Sequence, residues 1–555
     1  MRCRLIATIA CVQFKAIEMK KTRLGILIED ETLAWHMFEP LKLLVDEGVV
    51  EVCIAVRRSV KPKFIISNVT DVIPFINQRI FSFLSRTKSD VRGYSIHDFV
   101  ANGKIPIIIS TPKQYQSTDE IEDSVIEELG AADLDYLLNI GFQNLTGKVL
   151  GITEKGILSF HYGDEIIKRG EPAWYWQFAE RWDHSVVSLH LLSDSFDGDK
   201  VVGRGYCTLY YLNYNLTEHK LNGVLASILY LHFHNNNIGV ESGKFADSID
   251  DRTNYKPTKY STTIRHLTGY LKYYAVERFY KTFCLSQWSI FIGSVDQSIQ
   301  TYTELLPEKG CFWADPFYIE QDSRRYIFFE SLNYKENIGR IEWVELNESN
   351  QIIDSGPTNL DISVHLSFPN VFKYNNVIYM IPEAAETNCI NLLKATNFPH
   401  KWEKVHKLVV GVKALDSAVI KHNGLWYLFT THGSLSEITA GLELQIYISD
   451  KLMSDDWTLH PLAPIKIDVR GSRLAGALFR KNGQLFRTAQ DCTIRYGRRI
   501  ALYLVEDLTP ISYKETFVRY IEPNWAADIN RLHTYNIYDQ TVVLDVSRDR
   551  LRFSV

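Results

Sequence analysis

The feature that most constrains this chain is a repeat in its second half. Ala314–Glu330, Ser367–Glu383, Leu415–Thr430 and Leu474–Arg487 share one layout: an apolar strand, a tight turn and a second apolar strand. The turn is Asn-Asn or Asn-Gly in three of the four. Asn-Gly is the strongest short hairpin signal because both turn residues adopt positive φ. The turns recur about every 50–60 residues, a period that predicts a β-propeller with one blade per repeat. Leu532–Asp545 supplies a fifth hairpin, with a strand over Gln287–Ile292 helping to close the ring.

The first half has a different rhythm. Leu24–Ile28, Val50–Val56, Ile105–Ile109 and Leu137–Ile140 read as core strands. Helical patterns over Phe38–Asp46 and Asp119–Leu129 lie between them. Alternation of this kind predicts a mostly parallel α/β sheet, Rossmann-like, whose site lies where strands end. The expected organisation is an extension over 1–18 with Met19 as the probable start, an α/β domain over 19–215, a helical connector over 216–285 and an all-β five-bladed propeller over 286–555. The connector carries helices over Leu216–Asn235 and His266–Phe283, with a polar linker between them. The second of these is rich in Lys and Tyr and reads as a packed inter-domain helix rather than a membrane-surface one.

Composition limits the partners. Lys and Arg number 61 against 66 Asp and Glu, a net charge of −5, so no basic surplus exists to grip a phosphate backbone and nucleic acid is excluded as a partner. The eight Cys form no C-x-x-C pair, which argues for buried thiols in a reducing compartment and against a zinc or disulfide framework. No apolar run reaches the length of a membrane span, so no integral membrane segment is expected.

Two constellations carry chemistry. In the first half, a strand ends at Ser159-Phe-His161, Arg169-Gly170 follows eight residues after His161, and Asp197 lies seven residues after His190. Asp133–Gly141 reads as an apolar strand running into a glycine turn. Order and spacing resemble the 10-formyltetrahydrofolate-dependent formyltransferases, the sugar N-formyltransferases among them. The resemblance covers about residues 22–215. It implies 10-formyltetrahydrofolate as formyl donor, contacts from Gly141, Arg169 and Gly170, Asp197 as proton acceptor, and His161 as oxyanion stabiliser or proton relay. Ser159 stands where that family has an Asn, which puts the oxyanion contact in question. No metal is required.

In the second half, Asp315 and Asp416 fall in one repeat column, seven residues before the turn. Glu330, Glu383, Thr431 and Gln490 share another, eight after it. Trp313-Ala-Asp-Pro316 resembles the first-blade motif of the five-bladed glycoside hydrolases of family 43, which implies a base at Asp315 and an acidity-tuning role at Asp416. The fourth repeat, Arg473-Leu-Ala-Gly476, has no acid in that column, whereas a glycosidase needs two carboxyls flanking the bond. Glu383 or Glu330 is the candidate replacement, and Arg473, Gln490 and Asp491 are candidates to line the same axis. The second half also resembles the propeller domain of glucosamine inositolphosphorylceramide transferases. The leading expectation is a cytoplasmic N-formyltransferase acting on a nucleotide-linked amino sugar, its propeller assisting with sugar or glycan. The alternatives are a degenerate glycan-binding protein and a glycosidase working from the propeller.

Overall fold

The computed structural model describes residues 21–59, 69–85, 88, 92–100, 104–115, 118–163, 174–193, 198–234, 260–360 and 362–552. The expectations for Met19 and the first 18 residues, for Arg169, Gly170 and Asp197, and for the linker after residue 235 lie outside the described residues, apart from the linker's last positions. The chain divides into two compact units, which meet in sequence between Tyr270 and Leu271.

The first unit is built on a seven-stranded sheet. Thr22–Ile28 lies at its centre, parallel to Val50–Arg58 on one side and to Tyr136–Asn139 on the other. Ile107–Ser110 and Ile157–Tyr162 extend the parallel set to five strands. His184–Leu191 and Lys200–Thr208 then add an antiparallel edge. Strand directions are therefore mixed. The apolar runs form these strands because they are buried on both faces; Leu24, Ile26, Leu27 and Ile28 are all fully enclosed. The helix Tyr214–His234 packs on the antiparallel edge and buries most of its length.

Two local readings change. The segment read as a helix from Asp119 begins instead as the short strand Thr118–Glu120, and the helix runs over Asp123–Ala131. Asp119 is fully buried, where its carboxylate takes both arms of the Arg58 guanidinium and accepts the Gln143 N–H at 2.8 Å. The expectation of buried thiols holds for Cys207 but not for Cys53, Cys284, Cys311, Cys389 and Cys492, which are partly exposed.

The second unit is a propeller of five antiparallel sheets. Four follow in chain order, each opened by a turn-aligned repeat: from Cys311–Gln321, from Ser367–Tyr374, from Leu415–His422 and from Phe479–Lys481. The fifth joins the two ends of the unit. Cys284–Ser294 pairs along its whole length with Thr541–Leu551, flanked by Thr303–Leu305 and Tyr535–Tyr538. The turn positions Asn375, Asn376, Asn423 and Asn482 all have φ between 48° and 61°, the geometry that the Asn-Asn and Asn-Gly signals demand. An apolar core formed by Phe317, Phe328, Trp343, Phe368, Tyr427, Phe429 and Leu474 runs through the first four sheets. Among the described residues no helix is long and apolar enough to cross a membrane.

Candidate functional site

A bulge repeated in three blades builds the axial site. Pairing between the first two strands breaks at Ala314/Phe317, at Ser367/Asn370 and at Leu415/Ala418. Within each break one residue is left-handed: Asp315 at φ 52°, Phe368 at 44° and Asp416 at 47°. An L-residue there costs about 1–3 kcal/mol, which surrounding contacts must offset. For Phe368 the compensation is apolar packing, edge to face on Phe317 at 4.9 Å. For the two aspartates it is polar.

The bulge leaves backbone N–H groups that the strand ladder does not use, and side chains from neighbouring blades accept them. Asp545 Oδ2 accepts from the Asp315 N–H at 2.9 Å, and Asp315 Oδ2 from the Phe368 N–H at 3.2 Å. Glu383 Oε2 accepts from the Asp416 N–H at 2.8 Å, and Asn536 Oδ1 from the Ala477 N–H at 2.7 Å. The Asn536 amide also donates to Pro316 O, tying the fifth blade to the first. The axial acids thus hold the blades together as well as presenting carboxyl groups.

Two clusters result. In one, the His533 ring is stacked on Trp288 at 4.1 Å, its Nδ1 2.6 Å from Asp545 Oδ2 and its Nε2 3.6 Å from Asp315 Oδ1. Thr534 donates its hydroxyl to Asp315 at 2.6 Å, and the His533 and Thr534 N–H groups both reach Asp545. Burial pushes the Asp315 carboxyl up to about 7, with Glu330, Asp545 and Asp416 adding to the rise and His533 opposing it. His533 is raised to about 9: burial opposes the charged ring, and the Asp545 and Asp315 carboxylates overcome it. The ligand atoms of Asp315, His533 and Asp545 are close enough together to hold a cation. Their carboxylate oxygens already accept four N–H groups and a hydroxyl, whose dipoles point against a cation, so this trio fits a hydrogen-bond network better than a metal.

In the other cluster, Asp416 Oδ2 receives the Arg473 Nε and the Gln490 side-chain amide. The Arg473 guanidinium lies 3.9 Å from Glu383 and 5.1 Å from the Tyr496 ring centre. Burial and the Asp416 charge raise Glu383 well above the ordinary carboxylate range, against the pull of Arg473. Tyr496 is 46% exposed, its ring edge-on to the buried His533 ring at 5.2 Å. Glu330 stands beside the first cluster with Oε1 3.2 Å from His365 Nε2; His365 Nδ1 accepts the Gly339 N–H, which leaves Nε2 as the donor.

The structure therefore brings Asp416, Glu383 and Arg473 into contact and couples them electrostatically to Asp315. Gln490 donates its amide to Asp416 at 2.9 Å, a bond between blades, and to Leu474 O at 2.8 Å, whereas the Asp491 carboxylate is held within its own blade by Arg499 at 2.7 Å. Sequence reasoning missed His533, Asp545, Trp288 and His365, and named Tyr496 only within a polar cluster of the fourth blade. Trp288, His533 and Asp545 belong to the fifth blade, which comes from both ends of the unit, so they match no repeat column; His365 lies in the connection between the first and second blades.

The first-half candidates are placed differently. Ser159 sits in register between Asn139 and His190, and the His161 and His190 rings are 5.6 Å apart. The Asn139 amide is engaged by Phe142 N–H and O, holding the following turn. Gly141 is required there by close packing, since a Cβ would lie 2.1 Å from the Glu29 nitrogen. That requirement accounts for Gly141 without a cofactor.

Comparison with known proteins bears on the propeller. The family profile "Glucosamine inositolphosphorylceramide transferase 1, N-terminal" matches residues 303–533, the stretch holding every axial residue from Asp315 to His533. A glucosamine inositolphosphorylceramide transferase 1 of Oryza sativa subsp. japonica is 35% identical over 206 residues, and one of Arabidopsis thaliana 34% identical over 213. Each alignment covers 37% of this chain and 27% of the relative, so the chain spans about a quarter of the curated relatives it matches. Among solved structures, an exo-beta-1,3-galactanase from Clostridium thermocellum is similar at TM-score 0.31 and 14% identity, covering 42% of this chain and 60% of its own.

These matches give no support to formyl transfer from folate, nor to the Rossmann-like assignment read from the strand–helix alternation of the first half. They also correct the cytoplasmic expectation. It rested on unpaired thiols and on folate as donor, whereas the relatives are named for transfer involving an inositolphosphorylceramide, a lipid.

Proposed function

We propose that the propeller axis binds a saccharide and serves sugar transfer in the biosynthesis of a glycan or of an inositol-containing sphingolipid. The observation that carries this is the convergence of Asp315, Glu330, Glu383, Asp416 and Arg473 from four blades on one axis, beside the half-exposed Tyr496 ring. Neutral carboxyls donate to sugar hydroxyls, ionised ones and the guanidinium fix their orientation, and an aromatic face stacks on the sugar's C–H surface. The ligand class is an amino sugar, free or nucleotide-linked. Glu383 and Asp315 are both committed to inter-blade N–H groups, and Arg473 holds the Asp416 carboxylate. This favours binding without hydrolysis.

Titration calorimetry of the full chain with glucosamine-containing oligosaccharides tests the reading. Saturable binding is expected, weakened about tenfold or more by Tyr496→Ala, with the thermal transition followed alongside to separate lost binding from the loss of the ring's packing on His533. Release of reducing sugar would replace it with the glycosidase reading. Absence of binding to a folded chain would remove the saccharide site.

A further inference from the structure

The helix Tyr260–Phe283 ends on a surface that the saccharide reading does not use. Every residue from Leu271 to Phe283 is exposed or only half-buried. Leu271, Val276, Phe279, Tyr280 and Phe283 are between 45% and 54% exposed. Positions 276, 279, 280 and 283 follow i, i+3, i+4, i+7 spacing, so these side chains share one helical face. The Phe279 and Phe283 rings touch, with centres 5.0 Å apart.

A second element meets the same place. The helix continues directly into Cys284–Ser294, whose partner is the last strand. Leu551, 40% exposed, is registered opposite Cys284. The Arg552 N–H donates to Phe283 O at 2.8 Å and its guanidinium to Lys281 O at 3.2 Å. The last strand thus brings one more apolar side chain and further basic ones to the end of the helix. Lys272 shares this helical face, Arg278 and Lys281 lie on the opposite one, and Arg550 and Arg552 alternate with Leu551 along the last strand and beyond its end. The acids among them are Glu277, paired with Lys281 at 3.2 Å, Asp528, paired with Arg548 and Arg550 at 3.0 Å, and Asp549, paired with Arg531 at 3.1 Å. The Lys and Arg side chains outnumber these carboxylates, which leaves a positive rim in a chain whose net charge is −5.

We propose that this patch is an interfacial docking surface for an anionic lipid bilayer, with Phe279, Tyr280, Phe283 and Leu551 entering the headgroup boundary and the Lys and Arg side chains engaging lipid phosphates. Aromatic and aliphatic side chains flanked by Lys and Arg are the pattern of a helix lying in a membrane plane, where long basic side chains extend their stems over apolar surface and keep their charges in the headgroups. The positive rim selects a negatively charged surface over a neutral one or a second copy of the same positive patch. The charged face excludes a spanning orientation. Docking here stands independently of the axial saccharide site.

Co-sedimentation of the full chain with vesicles of phosphatidylcholine alone, and of phosphatidylcholine with phosphatidylserine, tests the proposal. Retention on the phosphatidylserine vesicles is expected, falling as salt is raised. The double variant Phe279→Glu/Phe283→Glu should bind at least about tenfold more weakly. Lys281→Glu/Arg552→Glu should lose the preference for phosphatidylserine. All four positions are exposed, so both variants should keep the parent's thermal transition and its saccharide binding. No retention of the parent chain, or unchanged retention of the Phe279→Glu/Phe283→Glu variant, overturns the proposal. So does gel filtration showing a dimer that this variant converts to monomer, which would make a second copy the occupant.

Discussion

Asp545 carries more of the axial site than any residue visible in the repeats. One fully enclosed carboxylate accepts three backbone N–H groups and faces the His533 ring. Removing the charge while keeping the shape, as in Asp545→Asn, leaves His533⁺ without its main partner. Breaking a buried pair in this way costs about 3–5 kcal/mol. The pH dependence has a definite sign. His533 is raised from 6.5 to about 9 in the folded chain, so its stabilising contribution is complete below about pH 6.5 and is lost as pH rises through 9. Asp315 is raised from 3.8 to about 7, so the fold disfavours its ionised form, and stability falls as pH climbs from about 4 to 7. Denaturant unfolding across this range should show both declines. Asp315→Asn should flatten the acidic one and Asp545→Asn the alkaline one, with the imidazole midpoint, followed by NMR, moving down from about 9. An alkaline limb that persists in Asp545→Asn would dissociate His533 from the effect. Asp315 and Asp416 were legible because repetition puts equivalent residues at equivalent places. His533 and Asp545 were not, because their importance comes from a strand pairing that spans the whole unit.

At the scale of elements, legibility followed how locally each one is determined. The propeller hairpins were readable from Asn-Asn and Asn-Gly because a two-residue turn is decided by the φ its own residues adopt. The core strands were readable from unbroken apolar runs, and the ends shifted only slightly, as in Thr22–Ile28 against the expected Leu24–Ile28. The helix Val69–Leu84 went unread, and Thr118–Glu120 was mistaken for the start of a helix. That strand exists because Asn144–Thr146 pairs with it and because Asp119 must meet Arg58 inside the unit, neither of which a local window contains. Asp119→Ala tests the assignment. It removes the two hydrogen bonds that Asp119 accepts from the buried Arg58 guanidinium and should cost about 3–5 kcal/mol, whereas a helix-cap role would cost about 1 kcal/mol. Urea unfolding of the variant separates the two, and a loss near the smaller figure would return Asp119 to a local role.

For the whole molecule, closure of the propeller is the step on which the axial site depends. The closing sheet pairs Cys284–Ser294 with Thr541–Leu551 across nearly half the chain's residue numbers, a contact that forms only after a large loop has closed. The same sheet supplies Trp288, His533, Thr534 and Asp545 around Asp315, and Asn536 against both Ala477 and Pro316. The site is therefore incomplete until both ends of the unit have met. Ending the chain at residue 531 should act at two levels. The Asp315 and Ala477 N–H groups would lose their acceptors at the axis, and Cys284–Ser294 would be left with an apolar edge open along its length, a template for association with other chains. The expected outcome is a protein that aggregates, loses the cooperative unfolding transition of the second unit and no longer binds saccharide, while a proteolytic fragment covering the first unit's sheet is retained. A soluble truncated chain that unfolds in one sharp transition would show that the first four blades suffice, and the axial site would then have to be explained without its closing strand.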